Sequence, residues 1–142
     1  MTAADEREAV LELSSTLEDL GRLYPWLDEA ATAADVPAAL RPRMHVALEE
    51  AAANIAMHAY PAGETGPITV RLQMRPDAAL LVVEDNGAAF DPTTADLGER
   101  PKSLAEATPG GWGLDLIRHF CPAATYERRG ESNRLTMSFP IG

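Results

Sequence analysis

Basic residues are scarce in this chain: 12 Lys and Arg stand against 22 Asp and Glu, giving a formal net charge of -10 over 142 residues. Nonspecific binding to nucleic acid or to an anionic membrane surface needs clustered cations, and the pair Arg128 and Arg129 is too small a cluster. Neither nucleic acid nor a membrane is therefore expected as a direct partner. Cysteine occurs once, at Cys121, which excludes an internal disulfide and a Cys-rich zinc site. Beside Pro122 that thiol reads as a small buried apolar residue. No uninterrupted apolar run approaches the roughly 18 residues of a membrane span, and the N-terminus lacks the basic-then-apolar pattern of a signal peptide. The expectation is a soluble cytoplasmic protein. Also missing are a Gly-x-x-x-x-Gly-Lys-Ser/Thr loop, a His-Glu-x-x-His pair, the eukaryotic-type kinase signatures, internal repeats and any linker.

What is present suits a single domain spanning residues 1–142, with 46% hydrophobic content to build a core. A short strand is expected over residues 9–13. Ser15, with Glu18 three residues on, reads as the capping box of a helix burying Leu17, Leu20, Leu23, Leu27 and Ala31, kinked or unwound at Pro25. Pro37 or Pro42 can occupy the first turn of a second helix that stops near Tyr60-Pro61. Ile68, Val70, Leu72 and Met74 alternate along a half-buried strand, and residues 80–85 form a more continuously apolar one, paired with it through the turn at Arg75-Pro76-Asp77-Ala78. Residues 88–109 show little periodicity and read as a lid. A short helix should follow Gly113 until Pro122 stops it, and two strands over 124–128 and 133–139 turn at Gly130-Glu131. The order β-α-α-β-β-lid-α-β-β predicts an α/β fold of the α+β type: a two-layer sandwich whose mixed, mostly antiparallel sheet has helices on one face.

Three motifs invite a chemical reading. On the second helix, at about 100° per residue, Met44, Ala47, Leu48, Ala51, Ile55 and His58 share one face, with Glu50 and Asn54 side by side on its border and Glu49 turned to solvent. That pair is either a solvated polar edge or a site. Asn54 offers the carbonyl oxygen that a hard Mg²⁺ prefers, and Glu50 could orient or deprotonate a nucleophile. Asp85-Asn86-Gly87 is either an ordinary turn or a place where a carboxylate accepts from an exocyclic amine while Gly87 admits a flat ring. Gly111-Trp112-Gly113 is either a glycine-rich helix entry or an anion site, where the free N–H groups of a helix start meet phosphate oxygens. Trp112 shields a nucleotide or merely packs. Tyr24 and Trp26 read as core packing or as a partner surface, and His58 as a helix-packing residue.

Glu50-x-x-x-Asn54 on a helix, Asp85-x-Gly87 after a strand and Gly111-x-Gly113 after a lid resemble the N, G1 and G2 boxes of the GHKL (Bergerat-fold) ATPases, whose fold is the histidine kinase-like ATPase fold. Within that superfamily the chain looks most like the anti-sigma factor serine/threonine kinases. His58-Ala59-Tyr60, Phe90-Asp91-Pro92, Gly113-Leu114 with Leu116-Ile117-Arg118, and Tyr126-Glu127-Arg128 with Asn133-Arg134-Leu135 add to the likeness, which covers nearly the whole chain. The resemblance implies ATP held by Asp85 at adenine, Mg²⁺ on Asn54, phosphates at the turn of Gly111, Trp112, Gly113 and Leu114, and Glu50 as catalytic base. It also implies a small antagonist protein as substrate, a sigma factor as competing partner, and a homodimer. No heptad or long apolar edge argues for that dimer independently.

Two departures from the family pattern bear on activity. Thr108-Pro109-Gly110 stands where these kinases often have an arginine, leaving Arg100 and Lys102 as the lid cations, and Ala89 stands where a proline is usual. They open a second expectation, a nucleotide-binding partner switch that no longer transfers phosphate. A histidine kinase catalytic domain shares the fold, but no helix here pairs a phospho-accepting histidine with a dimerising coiled coil.

Overall fold

The computed structural model describes residues 8–61, 63–89, 121 and 123–141. Among these, five strands make one open sheet: β1 (Glu8–Ser14), β2 (Pro67–Met74), β3 (Ala78–Asp85), β4 (Ala123–Arg129) and β5 (Ser132–Pro140). Their spatial order is β1-β2-β3-β5-β4, and every pairing is antiparallel. Alternation fixes which face each side chain takes. Ile68, Val70, Leu72 and Met74 of β2 and Leu135, Met137 and Phe139 of β5 point inward and are buried. β3 lies in the middle of the sheet, where Val82 is buried on one face and Leu81 and Val83 on the other, which explains its continuous apolar run. The β2–β3 hairpin closes where the Arg75 amide donates to the Ala78 carbonyl at 2.8 Å, and Gly130, at φ +58°, turns β4 into β5.

The helices are α1 (Leu17–Leu20), α2 (Leu23–Ala33) and α3 (Arg41–Asn54), with a 3₁₀ turn at Ala38–Leu40. α3 packs on β3, and α2 packs on α3 and β2, so the helices cover one face of the sheet in the expected two-layer α+β sandwich. Leu27, Ala31, Met44, Ala47, Val70 and Met137 meet in the layer between. No helix of the described residues is long and apolar enough to cross a membrane. Cys121 is buried, as expected of a small apolar side chain.

The first helical region corrects three expectations. Thr16, not Ser15, caps α1: its Oγ1 accepts from the Asp19 amide at 3.1 Å, and Asp19 in turn accepts from the Ser14 amide at 2.7 Å. Ser15 is buried instead and committed elsewhere, accepting from the Gly66 amide at 3.1 Å. Leu17 is 88% exposed because α1 lasts only one turn before the chain breaks at Gly21 and Arg22. The unwound turn expected at Pro25 lies instead at Gly21 and Arg22, just ahead of it, and Pro25 falls in the first turn of α2, where a missing N–H has no intrahelical partner to lose and no kink results. Leu23, Leu27 and Ala31 are buried as the spacing predicts. Trp26 packs against the core, whereas Tyr24 is 55% exposed and stacks on the His45 ring at 3.9 Å.

α2 ends in a Schellman turn: Asp35 takes the left-handed conformation at φ +58°, and the Val36 amide reaches back to the Ala31 carbonyl at 2.9 Å. Pro42 occupies the first turn of α3. At Asn54 the α-helix gives way to one π-helical turn, Ile55–Ala59, before Tyr60 becomes extended. The wider turn resets the phase, so His58 leaves the face set by Met44, Ala47, Leu48 and Ala51 and is exposed, contrary to the packing role expected of it. π turns of this kind concentrate at functional sites.

Candidate functional site

Cross-strand register places four residues in one row across the inner face of the sheet: Ile68 on β2, Asp85 on β3, Asn133 on β5 and Arg128 on β4. The neighbouring row, Val70, Val83, Leu135 and Tyr126, is apolar except for its last member. The core therefore ends in a polar border at the C-terminal end of β3. Asp85 is 6% exposed and Asn133 4% exposed. Buried polar groups of this kind must find partners.

Asp85 Oδ1 accepts from the Gly87 amide at 2.8 Å and from Asn133 Nδ2 at 2.9 Å. Asn133 Nδ2 also reaches the Ala88 carbonyl at 2.9 Å, and its Oδ1 accepts from the Tyr126 hydroxyl and, at 3.1 Å, from Arg128 Nη1. Arg128 Nη1 further donates to the Gly87 carbonyl at 2.7 Å. The Asp85-Asn86-Gly87 turn is thus held from below by β5 and β4.

The same turn is held from above by the π turn. The Ala88 amide donates to the Ala59 carbonyl at 2.7 Å, and a Cβ added to Gly87 would collide with that carbonyl and lie 2.5 Å from Ala59 Cβ. The chain needs glycine at 87 for this close approach of two backbones, before any ligand is considered. Tyr60 finishes the junction by donating to the Pro67 carbonyl at 2.6 Å and accepting from the Asn86 amide at 3.1 Å. Burial of the Tyr60 ring pushes its phenol above its ordinary value, keeping a neutral donor there.

Between these supports lies a pocket with about 370 Å³ of empty space, part of it open to solvent, lined by Ala51, Asn54, Ile55 and Ala59 from the helix side and Val83, Asp85, Tyr126, Asn133 and Leu135 from the sheet. Asp85 and Asn54, far apart in sequence, both line this pocket. Its apolar walls with a carboxylate and an amide at one end suit a flat ring that has a polar edge. Asn54 is 3% exposed, and neither its Oδ1 nor its Nδ2 has a hydrogen-bond partner among the described residues. An unpartnered buried amide lining a pocket is poised for a ligand. Its oxygen fits Mg²⁺, which keeps most of its ligands as water and substrate phosphate and takes few from protein. No group of three or more His, Cys, Asp or Glu among the described residues could hold a metal ion by itself.

Glu50 is half-buried one turn before Asn54 on α3, while Glu49 is exposed, as helical geometry predicts. Burial raises the Glu50 carboxyl above its ordinary value, and the adjacent Glu49 charge raises it further. Glu50 does not itself line the pocket. Gly111, Trp112, Gly113 and Leu114, the helix expected after them, and all but the first two residues of the 88–109 lid lie outside the described residues.

Sequence reasoning did not single out Asn133, Tyr126, Arg128 or Tyr60 as parts of this site. One signal was available: Asn133 is in phase with Leu135, Met137 and Phe139, so alternation turns it inward, where an amide requires partners.

The histidine kinase-like ATPase domain family matches residues 13–139. The chain is 38% identical over 128 residues to the serine/threonine-protein kinase BtrW of Bordetella bronchiseptica, covering 90% of each chain. It is 33% identical over 78 residues to the serine-protein kinase RsbW of Bacillus licheniformis, covering 52% of this chain and 49% of that one. Among solved structures it is similar to the RsbU and RsbW domains of a Mycobacterium tuberculosis protein, with TM-score 0.65 and 15% identity over 92% of this chain and 31% of that one. The histidine kinase domain of an Erythrobacter litoralis blue-light activated histidine kinase gives TM-score 0.56 and 17% identity over 86% and 61% of the respective chains. At these identities the two structures speak for the fold.

Proposed function

Because the chain belongs to the histidine kinase-like ATPase family, we propose that it is an ATP- and Mg²⁺-dependent protein serine/threonine kinase of the anti-sigma type. One juxtaposition carries this reading: Asp85 and the unpartnered amide of Asn54 line a single apolar pocket. Names of relatives that are serine and serine/threonine protein kinases support the chemistry.

In this reading Asp85 accepts a hydrogen bond from the adenine amino group, and Val83, Leu135 and Ile55 hold the ring. Asn54 Oδ1 holds Mg²⁺, which supplies charge neutralisation at the phosphates when bound. The turn of Gly111, Trp112, Gly113 and Leu114 donates N–H groups to phosphate oxygens. Glu50 takes the proton of a serine or threonine hydroxyl as that oxygen bonds to the terminal phosphorus and the bond to the ADP oxygen breaks. A base with a raised pKa suits this step, since it holds the abstracted proton more firmly. The hydroxyl belongs to a small antagonist protein, and the unphosphorylated antagonist competes with a sigma factor for the kinase. A homodimer and a cytoplasmic setting complete the proposal.

The experiment is calorimetric titration with ATP and Mg²⁺, followed by phosphate transfer to the cognate antagonist. Micromolar binding that Asp85→Asn weakens is expected. No binding, or binding indifferent to that substitution, would remove the proposal.

A second reading has its own support: none of the described residues lining the pocket is a Lys or Arg, and Thr108-Pro109-Gly110 puts no cation before the second glycine motif. The protein would then hold nucleotide as a partner switch without transferring phosphate. Phosphate incorporation abolished by Glu50→Ala rules that out.

A further inference from the structure

An asparagine side chain has two ends of opposite chemistry, and the surroundings of Asn133 decide which end faces which way. Arg128 Nη1 can only donate, and it stands 3.1 Å from Oδ1. Asp85 Oδ1, which also accepts from the Gly87 amide, is an acceptor, and it stands 2.9 Å from Nδ2. A flipped amide would set N–H groups against a guanidinium and an oxygen against both a carboxylate and the carbonyl of Ala88. The Tyr126 hydroxyl could adapt to either orientation; the guanidinium could not.

Arg128 is itself pinned, although it is exposed on the edge strand. Its Nη1 donates to the Gly87 carbonyl at 2.7 Å and its Nε to the Gly130 carbonyl at 2.9 Å. A surface cation thereby joins Asp85 and the Ala88 carbonyl in fixing the direction of a buried amide and also holds the turn that follows Asp85. Both hydrogen bonds that Asp85 accepts among the described residues fall on Oδ1, from Asn133 and from the Gly87 amide, and Arg128 supports both donors. Among the described residues no hydrogen bond is donated to Oδ2.

We propose that Arg128 is a positioning residue for base recognition: acting through Asn133 and Gly87, it fixes Asp85 so that Oδ2 accepts from the exocyclic amine of a 6-aminopurine. This rests on the reading of the pocket as a nucleotide site. The consequence is selectivity between purines, because a 6-oxo group cannot donate to a carboxylate. Loss of Arg128 removes one hydrogen bond from the Asn133 amide and the side-chain hold on the Gly87 carbonyl, so Asp85 is less firmly aimed, which weakens the amine contact and leaves ring stacking and phosphate contacts alone.

The test is the affinity of the full chain for ATP and for inosine triphosphate, with Mg²⁺, in the wild type, Arg128→Ala and Arg128→Lys. The wild type should prefer ATP. Arg128→Ala should weaken ATP about tenfold and leave inosine triphosphate unchanged, and Arg128→Lys should restore part of the preference, since an ammonium can still donate to Asn133 Oδ1. A parallel fall for both nucleotides, an unchanged ratio in Arg128→Ala, or a wild-type ratio near one would overturn the role of Arg128. A wild type that binds neither nucleotide would overturn the nucleotide reading, and this role with it.

Discussion

Gly87 and Ala59 touch backbone to backbone: the space where a Cβ of residue 87 would sit is filled by the carbonyl and methyl of residue 59. This contact ties the β3 turn to the π turn that follows Asn54, so the two halves of the pocket are set by one junction. Gly87→Ala should therefore lower stability by about 1–3 kcal/mol in the absence of any nucleotide, as overpacking does. Urea denaturation of the ligand-free protein checks this. If the glycine served only to admit a flat ring, ligand-free stability would not change.

Asn54 should show function opposed to stability. Its amide is buried with no hydrogen-bond partner among the described residues, and Asn54→Leu replaces two unsatisfied atoms with a side chain of similar size. Stability without nucleotide should rise by about 1 kcal/mol, seen as a higher melting temperature, while the Mg²⁺-dependent part of ATP affinity disappears. Melting curves and titrations with and without Mg²⁺ measure the two effects. A destabilised variant would mean that the amide has protein partners after all.

Glu50→Gln should leave ATP affinity within about threefold and reduce phosphate transfer by about 10²–10⁴, the usual contribution of a general base. The transfer rate should fall as pH drops through the Glu50 pKa, with a midpoint above 4.5, because burial and then Glu49 raise it. Glu49→Gln, which removes the like charge, should move that midpoint to lower pH. A pH–rate profile of the two proteins decides this, and an unmoved midpoint counts against Glu50 as the titrating base.

His45 should make stability depend on pH. Burial on α3, under the Tyr24 ring, lowers its pKa from 6.5, the Glu49 and Asp28 charges oppose that shift, and its Nδ1 has no hydrogen-bond partner among the described residues. The unfolded chain therefore binds more protons than the folded one between the folded value and 6.5. Stability contributed by this site is complete above 6.5 and is lost as pH falls through that window, levelling off below the folded pKa. Chemical denaturation at several pH values should show a slope there that His45→Phe flattens.

Much of the sheet is legible from residue order alone. Period-two alternation in residues 68–74 and 133–139 decides which side chains face the helices, since a slip of one residue would expose every Leu, Val and Met. Helical spacing likewise chooses Glu50 over Glu49, because neighbouring residues on a helix point about 100° apart. The family was equally legible, in Glu50-x-x-x-Asn54 and the motifs after it.

Other features depend on contacts that no local pattern encodes. Leu17 fits the helical stripe but is exposed, because Gly21 ends α1 after one turn. His58 fits it too, yet the π turn inserts an extra residue and swings it outward. Asn133 looks like one polar residue in a strand until β5 is laid beside β3, when register sets it opposite Asp85. By itself the sequence determined which residues are apolar at which period, hence most of the described elements, the two-layer fold and the residues proposed for the chemistry. Only the tertiary structure decided that Asp85, Asn133 and Arg128 form one row and that Asn54 faces the same pocket. Cross-strand register and the packing of α3 on β3 are set by closure of the whole sheet, which is a property of distant segments meeting.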